Sequence, residues 1–151
     1  RRNGVSVTVH PGVGYDIVYV HPHGAGGLLG RAAGWDFELF AGAVDELGEG
    51  GVLLSVGSAV MAPQVFEKAA AVVNNLRLQH SRSPIAPSIF VNDLIPVATD
   101  AWSGGAEPEP DNPAYYLRFC KSFSRIAAAL RYLAVDNRIF LHNLCHELSG
   151  R

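Results

Sequence analysis

The apolar run Val52-Leu53-Leu54-Ser55-Val56 breaks at Gly57-Ser58, and Pro63 follows at a position suited to the first turn of a helix. Glycine at a strand end lets the backbone approach a ligand, and a helix start offers unpaired N–H groups and the positive end of its dipole. Gly57 and Ser58 therefore suit a nucleotide or another anion at the edge of a sheet. The Gly-x-Gly-x-x-Gly spacing is not met, and a tight turn without a ligand accounts for the same residues. Upstream, His21-Pro22-His23-Gly24-Ala25-Gly26-Gly27 follows another apolar run. Its glycines, Gly24 and Gly26 among them, read either as a second wall of that crevice or as a plain connector.

Other chemistry-bearing residues fit their motifs less well. His21 and His23 point the same way on an extended segment, but a metal needs a further ligand, which His10 or Asp16 could supply only if the fold brings them close. Loop histidines without a metal are the preferred reading. Ser55-Val56-Gly57-Ser58-Ala59 lacks the Gly-x-Ser-x-Gly of a nucleophile elbow, and His142 and His146 lack the His-Glu-x-x-His order, so a solvated helix face is expected for them. Lys121 lies in Tyr115-Tyr116-Leu117-Arg118-Phe119-Cys120-Lys121-Ser122-Phe123. A desolvated lysine there is an amine nucleophile, and a snorkelling surface lysine is the alternative that the composition favours.

A chain of 151 residues has the size of a single domain, here 1–151, and 48% apolar against 17% charged residues is the composition of a folded protein. Twelve Lys and Arg against fourteen Asp and Glu give 12 − 14 = −2, so no nucleic-acid partner is expected. Cys120 and Cys145 are too few for a disulfide framework and too far apart for a Cys-x-x-Cys site, which points to a reduced, cytoplasmic setting. No apolar run approaches the roughly 20 residues of a membrane span, so no membrane partner is expected. The chain opens on Arg1 with a strand pattern close behind, as expected of the C-terminal part of a longer protein.

Around these residues the elements alternate. Strands are expected at 5–9 and 16–20, where β-branched residues recur, and a loop at 21–30. Helical spacing covers 35–47, closed by Gly48, Gly50 and Gly51. Residues 52–56 read as a strand covered on both faces, and a helix from Pro63 runs to about Asn74 or Asn75. A strand at 88–94, a loop at 98–112 that is either a lid or plain surface, and a helix from Asn112-Pro113 to Phe123 follow. The chain closes with a strand at 130–135 and a helix capped by Asp136 or Asn137. Strand and helix in alternation predict a Rossmann-like three-layer α/β sandwich with a mostly parallel sheet.

In their order, several motifs resemble the C-terminal half of the deoxyhypusine synthase-like superfamily, above all its uncharacterised bacterial members. The matching residues are His21-Pro22 with Gly24-Ala25, Asp36-Phe37, Gly57-Ser58-Ala59-Val60, and Pro63, Val65, Phe66, Lys68 and Ala69, within 5–91. The resemblance implies an NAD-binding domain with Gly24, Gly26, Gly57, Ser58, Asn92 and Asp136 at the cofactor, the last two standing at strand ends. Enzymes of this family oxidise spermidine with NAD, hold the aminobutyl group on a lysine and use a histidine as proton partner. By the same likeness Lys121 stands near the catalytic lysine's place, but its Trp-Gly-Lys context is absent. Where the family continues into Lys-His-His, Gln64-Val65-Phe66-Glu67 stands here, and a lost base costs about 10²–10⁴-fold. Hypusine formation is therefore not expected, and an enzyme of this kind would be an NAD-dependent transferase or oxidoreductase of undefined reaction. The family's habit of pairing subunits implies a homo-oligomer, with 115–123 as a candidate interface. A non-catalytic oligomerisation domain and a sugar-phosphate-binding, isomerase-like domain are the alternatives.

Overall fold

The computed structural model of the protein describes residues 4–94, 109–112, 115 and 117–150. Its elements, in chain order, are a 3-10 turn at Ile17–Val20, α1 (Gly26–Glu46), β1 (Glu49–Val56), α2 (Met61–Gln79), β2 (Ala86–Asp93), α3 (Arg118–Ser124), β3 (Ala129–Ala134) and α4 (Asn137–Ser149). The three strands form one all-parallel sheet in the order β1-β2-β3, flanked by helices. Parallel neighbours need long crossovers, which α2 supplies between β1 and β2. The fold is a Rossmann-like α/β sandwich.

The register pairs Leu53 with Ile89 and Ile89 with Leu130, and places Ser55, Val91 and Tyr132 in the next row of the same face. Onto this face α2 lays Pro63, Phe66, Ala69, Ala70, Val73 and Arg77, which recur at helical spacing as one buried stripe. Val44 of α1 and Phe123 of α3 complete the core, with the Phe66 and Phe123 rings edge to face at 5.7 Å between centroids. Fully burying side chains of this size stabilises the fold by about 1.5–3 kcal/mol each. On the opposite face Val52 and Leu54 are 56% and 44% exposed, so β1 is an edge strand open on one side, not the doubly covered strand its apolar run suggests. α4 meets β2 at the strand's carboxyl end, through Asn137 and Asn92.

Three expectations near the amino terminus change. Residues 5–9 form no strand and join no ladder among the described residues, and Val5, Val7 and Val9 are exposed while Thr8 and His10 are half-buried. Period-2 alternation reports an extended backbone; a strand also needs a partner, and the Val9 N–H instead donates to the Asp36 carboxylate at 2.9 Å. Residues 17–20 coil into a 3-10 turn because Asp16 accepts from the Val18 and Gly12 amides, a local bond that competes with a ladder. The glycines from Gly26 onward belong to α1, not to a loop. Extending a nucleated helix needs no new nucleus, and Leu29 and Ala33 prolong its inner stripe.

The remaining elements follow the spacing. α1 contains the expected helix at 35–47 almost entirely and β2 and β3 lie within a residue or two of the expected strands, whereas α2 runs past its expected end at Asn74 or Asn75 to Gln79, with Arg77 continuing its buried stripe. Asp136 caps α4 by accepting from the Arg138 and Ile139 amides. Of the loop at 98–112, residues 98–108 lie outside the described residues, as does the helix start at Pro113; the described helix begins at Arg118.

Candidate functional site

β1 carries Ser55 to the carboxyl end of the sheet, where the chain leaves the strand through Gly57 and Ser58 into α2. Gly57 has φ +68°, the left-handed region that favours glycine, and its N–H donates to the Asn92 carbonyl at 2.9 Å. A side chain at Gly57 would meet the Asn137 amide at 2.5 Å. Asn92, 1% exposed, donates its own amide to Val135 O at 3.1 Å and Asn137 Oδ1 at 2.6 Å, while its Oδ1 has no partner. The expected residues Gly57, Asn92 and Asp136 thus converge at one edge of the sheet, linked through Asn137.

The turn into α2 is partly spoken for. Ser58 Oγ accepts from the Ala62 N–H at 3.1 Å, and Pro63 has no N–H to offer. A phosphate at this helix start therefore meets one first-turn amide at most, together with the turn that precedes it. Asp136 is likewise engaged: the Arg138 guanidinium and the amides at the α4 start hold its carboxyl below its usual range.

Beside the turn lies a cavity of about 350 Å³ between β1, α1, α2 and the extended amino-terminal segment. Its polar lining comes from Thr8, His10, Ser55 and Ser58; its apolar walls include Phe40, Met61, Phe66 and Phe123. Among the described residues no Asp, Glu, Lys or Arg lines it. His10 Nε2 lies 3.0 Å from Thr8 Oγ1, and the His10 ring stands edge-on to Phe40 at 5.1 Å between centroids. Tyr15 OH reaches Met61 Sδ at 3.0 Å, so the amino-terminal segment is tied to both α1 and α2 around the cavity. Ser55 is 5% exposed and its Oγ has no hydrogen-bond partner. A buried hydroxyl without a partner costs about 1–3 kcal/mol.

Gly24 lies elsewhere, in the wall of a second cavity of about 630 Å³ formed by the 3-10 turn, His21, His23 and the start of α1. Among the described residues that cavity shares no lining residue with the first and includes no strand residue. Ligands of open parallel sheets bind at the strands' carboxyl ends, which favours the smaller cavity. Gly26 is the first residue of α1 and lines neither cavity. Lys121 sits on α3 with Nζ 2.6 Å from Tyr115 OH and 3.9 Å from the centre of that ring. Behind it, Ser122 donates to Glu67 at 2.5 Å; this bond, with Lys68 beside it, holds the Glu67 carboxyl below its usual range. His21 and His23 are exposed neighbours with ring centroids 5.6 Å apart, and His142 and His146 are exposed on α4. Among the described residues no group of three His, Cys, Asp or Glu side chains could hold a metal ion, and no helix is long and apolar enough to cross a membrane.

Sequence reasoning did not select Thr8 or Ser55, and named His10 only as a further metal ligand beside His21 and His23. Ser55 left a legible signal, a hydroxyl interrupting an apolar strand, whereas the inward turn of Thr8 and His10 reverses the pattern of their segment. No family model, curated protein or solved structure matches this chain.

Proposed function

We propose that the domain binds a nucleotide of the NAD type at the carboxyl edge of the sheet, as the deoxyhypusine synthase-like resemblance implies, and that its reaction is other than hypusine formation. The observation that carries this reading is the cavity beside β1 and the Gly57-Ser58 turn, at the end of the sheet where such folds take their ligands. Its volume is at the small end of the range for ligand sites, which suits one ring-bearing half of a dinucleotide. The phosphates would meet the turn at 57–61, where Gly57 allows a close approach and one first-turn amide remains. NAD, when bound, would supply hydride transfer; Lys121, oriented by Tyr115, is the amine the resemblance assigns to catalysis. Isothermal calorimetry on the whole chain with NAD, NADH and ADP-ribose tests the reading. Saturable binding below about 1 mM is expected. No heat at millimolar ligand overturns it, and displacement by sugar phosphates but not by adenosine moves the assignment to the isomerase-like alternative.

A second reading, an assembly domain, draws on the open face of β1 and on the exposed Ile139, Leu141 and Leu148 of α4. Light scattering across a concentration series separates the two: association that Gly57→Ala leaves intact, without any nucleotide heat, supports assembly alone.

A further inference from the structure

Resting on the nucleotide-binding reading, we propose that Ser55 is the specificity-determining residue of the cavity and that its hydroxyl reads the polar edge of a neutral purine ring, the adenine half of the nucleotide. Ser55 occupies a core row of the sheet, level with Val91, where an apolar side chain would pack without loss. Its Oγ is buried and unpartnered, which costs stability unless a ligand completes it. A serine hydroxyl rotates among three staggered positions and both donates and accepts, so it can turn to either kind of edge atom.

The surroundings select the ring. Phe40 supplies a partly exposed aromatic wall and Met61 a polarizable thioether, surfaces that suit a flat ring. Among the described residues the lining holds no Asp, Glu, Lys or Arg, which disfavours a phosphate or a cationic pyridinium inside the cavity and favours an uncharged base. Thr8 and His10, coupled at 3.0 Å, add polar groups on the wall formed by the amino-terminal segment.

The test compares the whole chain with its Ser55→Ala variant in two measurements, adenosine affinity by calorimetry and melting temperature without ligand. Adenosine is expected to bind the variant at least tenfold more weakly, while the ligand-free variant melts at the same temperature as the parent or a few degrees higher. A residue that only supports the fold would not combine these two effects. Equal adenosine affinity in both chains overturns the inference, as does a variant that melts several degrees lower. Ser55-dependent binding of nicotinamide mononucleotide with none of adenosine overturns it too. If the parent binds NAD but Ser55→Ala changes nothing, only this inference falls; if the parent binds neither NAD nor adenosine, the nucleotide reading falls with it.

Discussion

The two edges of the sheet treat their polar groups differently. At the amino edge, where α1 and α2 end, Arg77 donates to the Asp45 carboxylate at 2.5 Å, to the Asp45 carbonyl at 2.6 Å and to the Ser83 carbonyl at 3.0 Å. Arg82 adds a second guanidinium on Asp45 at 3.3 Å, and Arg77 itself is buried. At the carboxyl edge Ser55 Oγ, on the cavity side of the sheet, and Asn92 Oδ1, on the opposite face beside the left-handed Gly57, are buried without partners. A cation as buried as Arg77 must be matched within the fold, because little solvent reaches it. Neutral hydroxyl and amide oxygens can be left for a ligand at a cost the fold tolerates. The difference separates an edge whose polar groups are matched within the fold from one that leaves two of them unmatched.

The largest expected effect falls on the amino edge. Asp45→Ala strips Arg77 of a charged partner and is expected to cost about 1.5–3 kcal/mol in denaturant unfolding, with nucleotide affinity unchanged. The same pair sets an acid limit. Arg77 and Arg82 hold the Asp45 carboxyl below its usual range, so its ionised form is favoured in the folded state. That stability is present above the ordinary aspartate pKa of about 4 and disappears as falling pH protonates the folded carboxyl. Asp45→Asn should flatten the acid limb of a stability profile; an unchanged limb would detach Asp45 from the acid response.

Gly57→Ala brings the comparison to the other edge. A left-handed residue other than glycine costs about 1–2 kcal/mol, and the new methyl would also displace the Asn137 amide. Lower stability together with weaker nucleotide binding is expected, whereas full affinity would remove Gly57 from the site. Asp36→Ala has the smallest effect, about 0.5–1.5 kcal/mol, since it releases only the Val9 amide. Hydrogen exchange at residues 8–10 should quicken more than elsewhere in the chain; uniform protection would show that the segment is held by other contacts.

How much of this was legible depends on the range of the interactions. Val65, Phe66, Val72 and Val73 announce α2 because a helix closes its hydrogen bonds within itself, and the runs at 52–56 and 88–93 announce strands because their apolar density has no other use. The glycine turn at Gly57 is legible for the same local reason. Residues 5–9 show the opposite case: their alternation is as good as that of any strand, yet the partner ladder lies outside the segment's own sequence. The expected cofactor residues divide along the same line, with Gly57, Asn92 and Asp136 brought to one edge while Gly24 lines a separate cavity.

The order of residues by itself determined the parallel α/β alternation, the helix stripe on α2 and the cap at Asp136, since each follows from patterns a few positions apart. Tertiary structure alone decided that Thr8 and His10 turn inward, that Asn137 fills the space beside Gly57, and that the Ser55 hydroxyl is enclosed without a partner. Those outcomes depend on groups from distant parts of the chain competing for one volume, and that competition is resolved only once the sheet and its helices are in place.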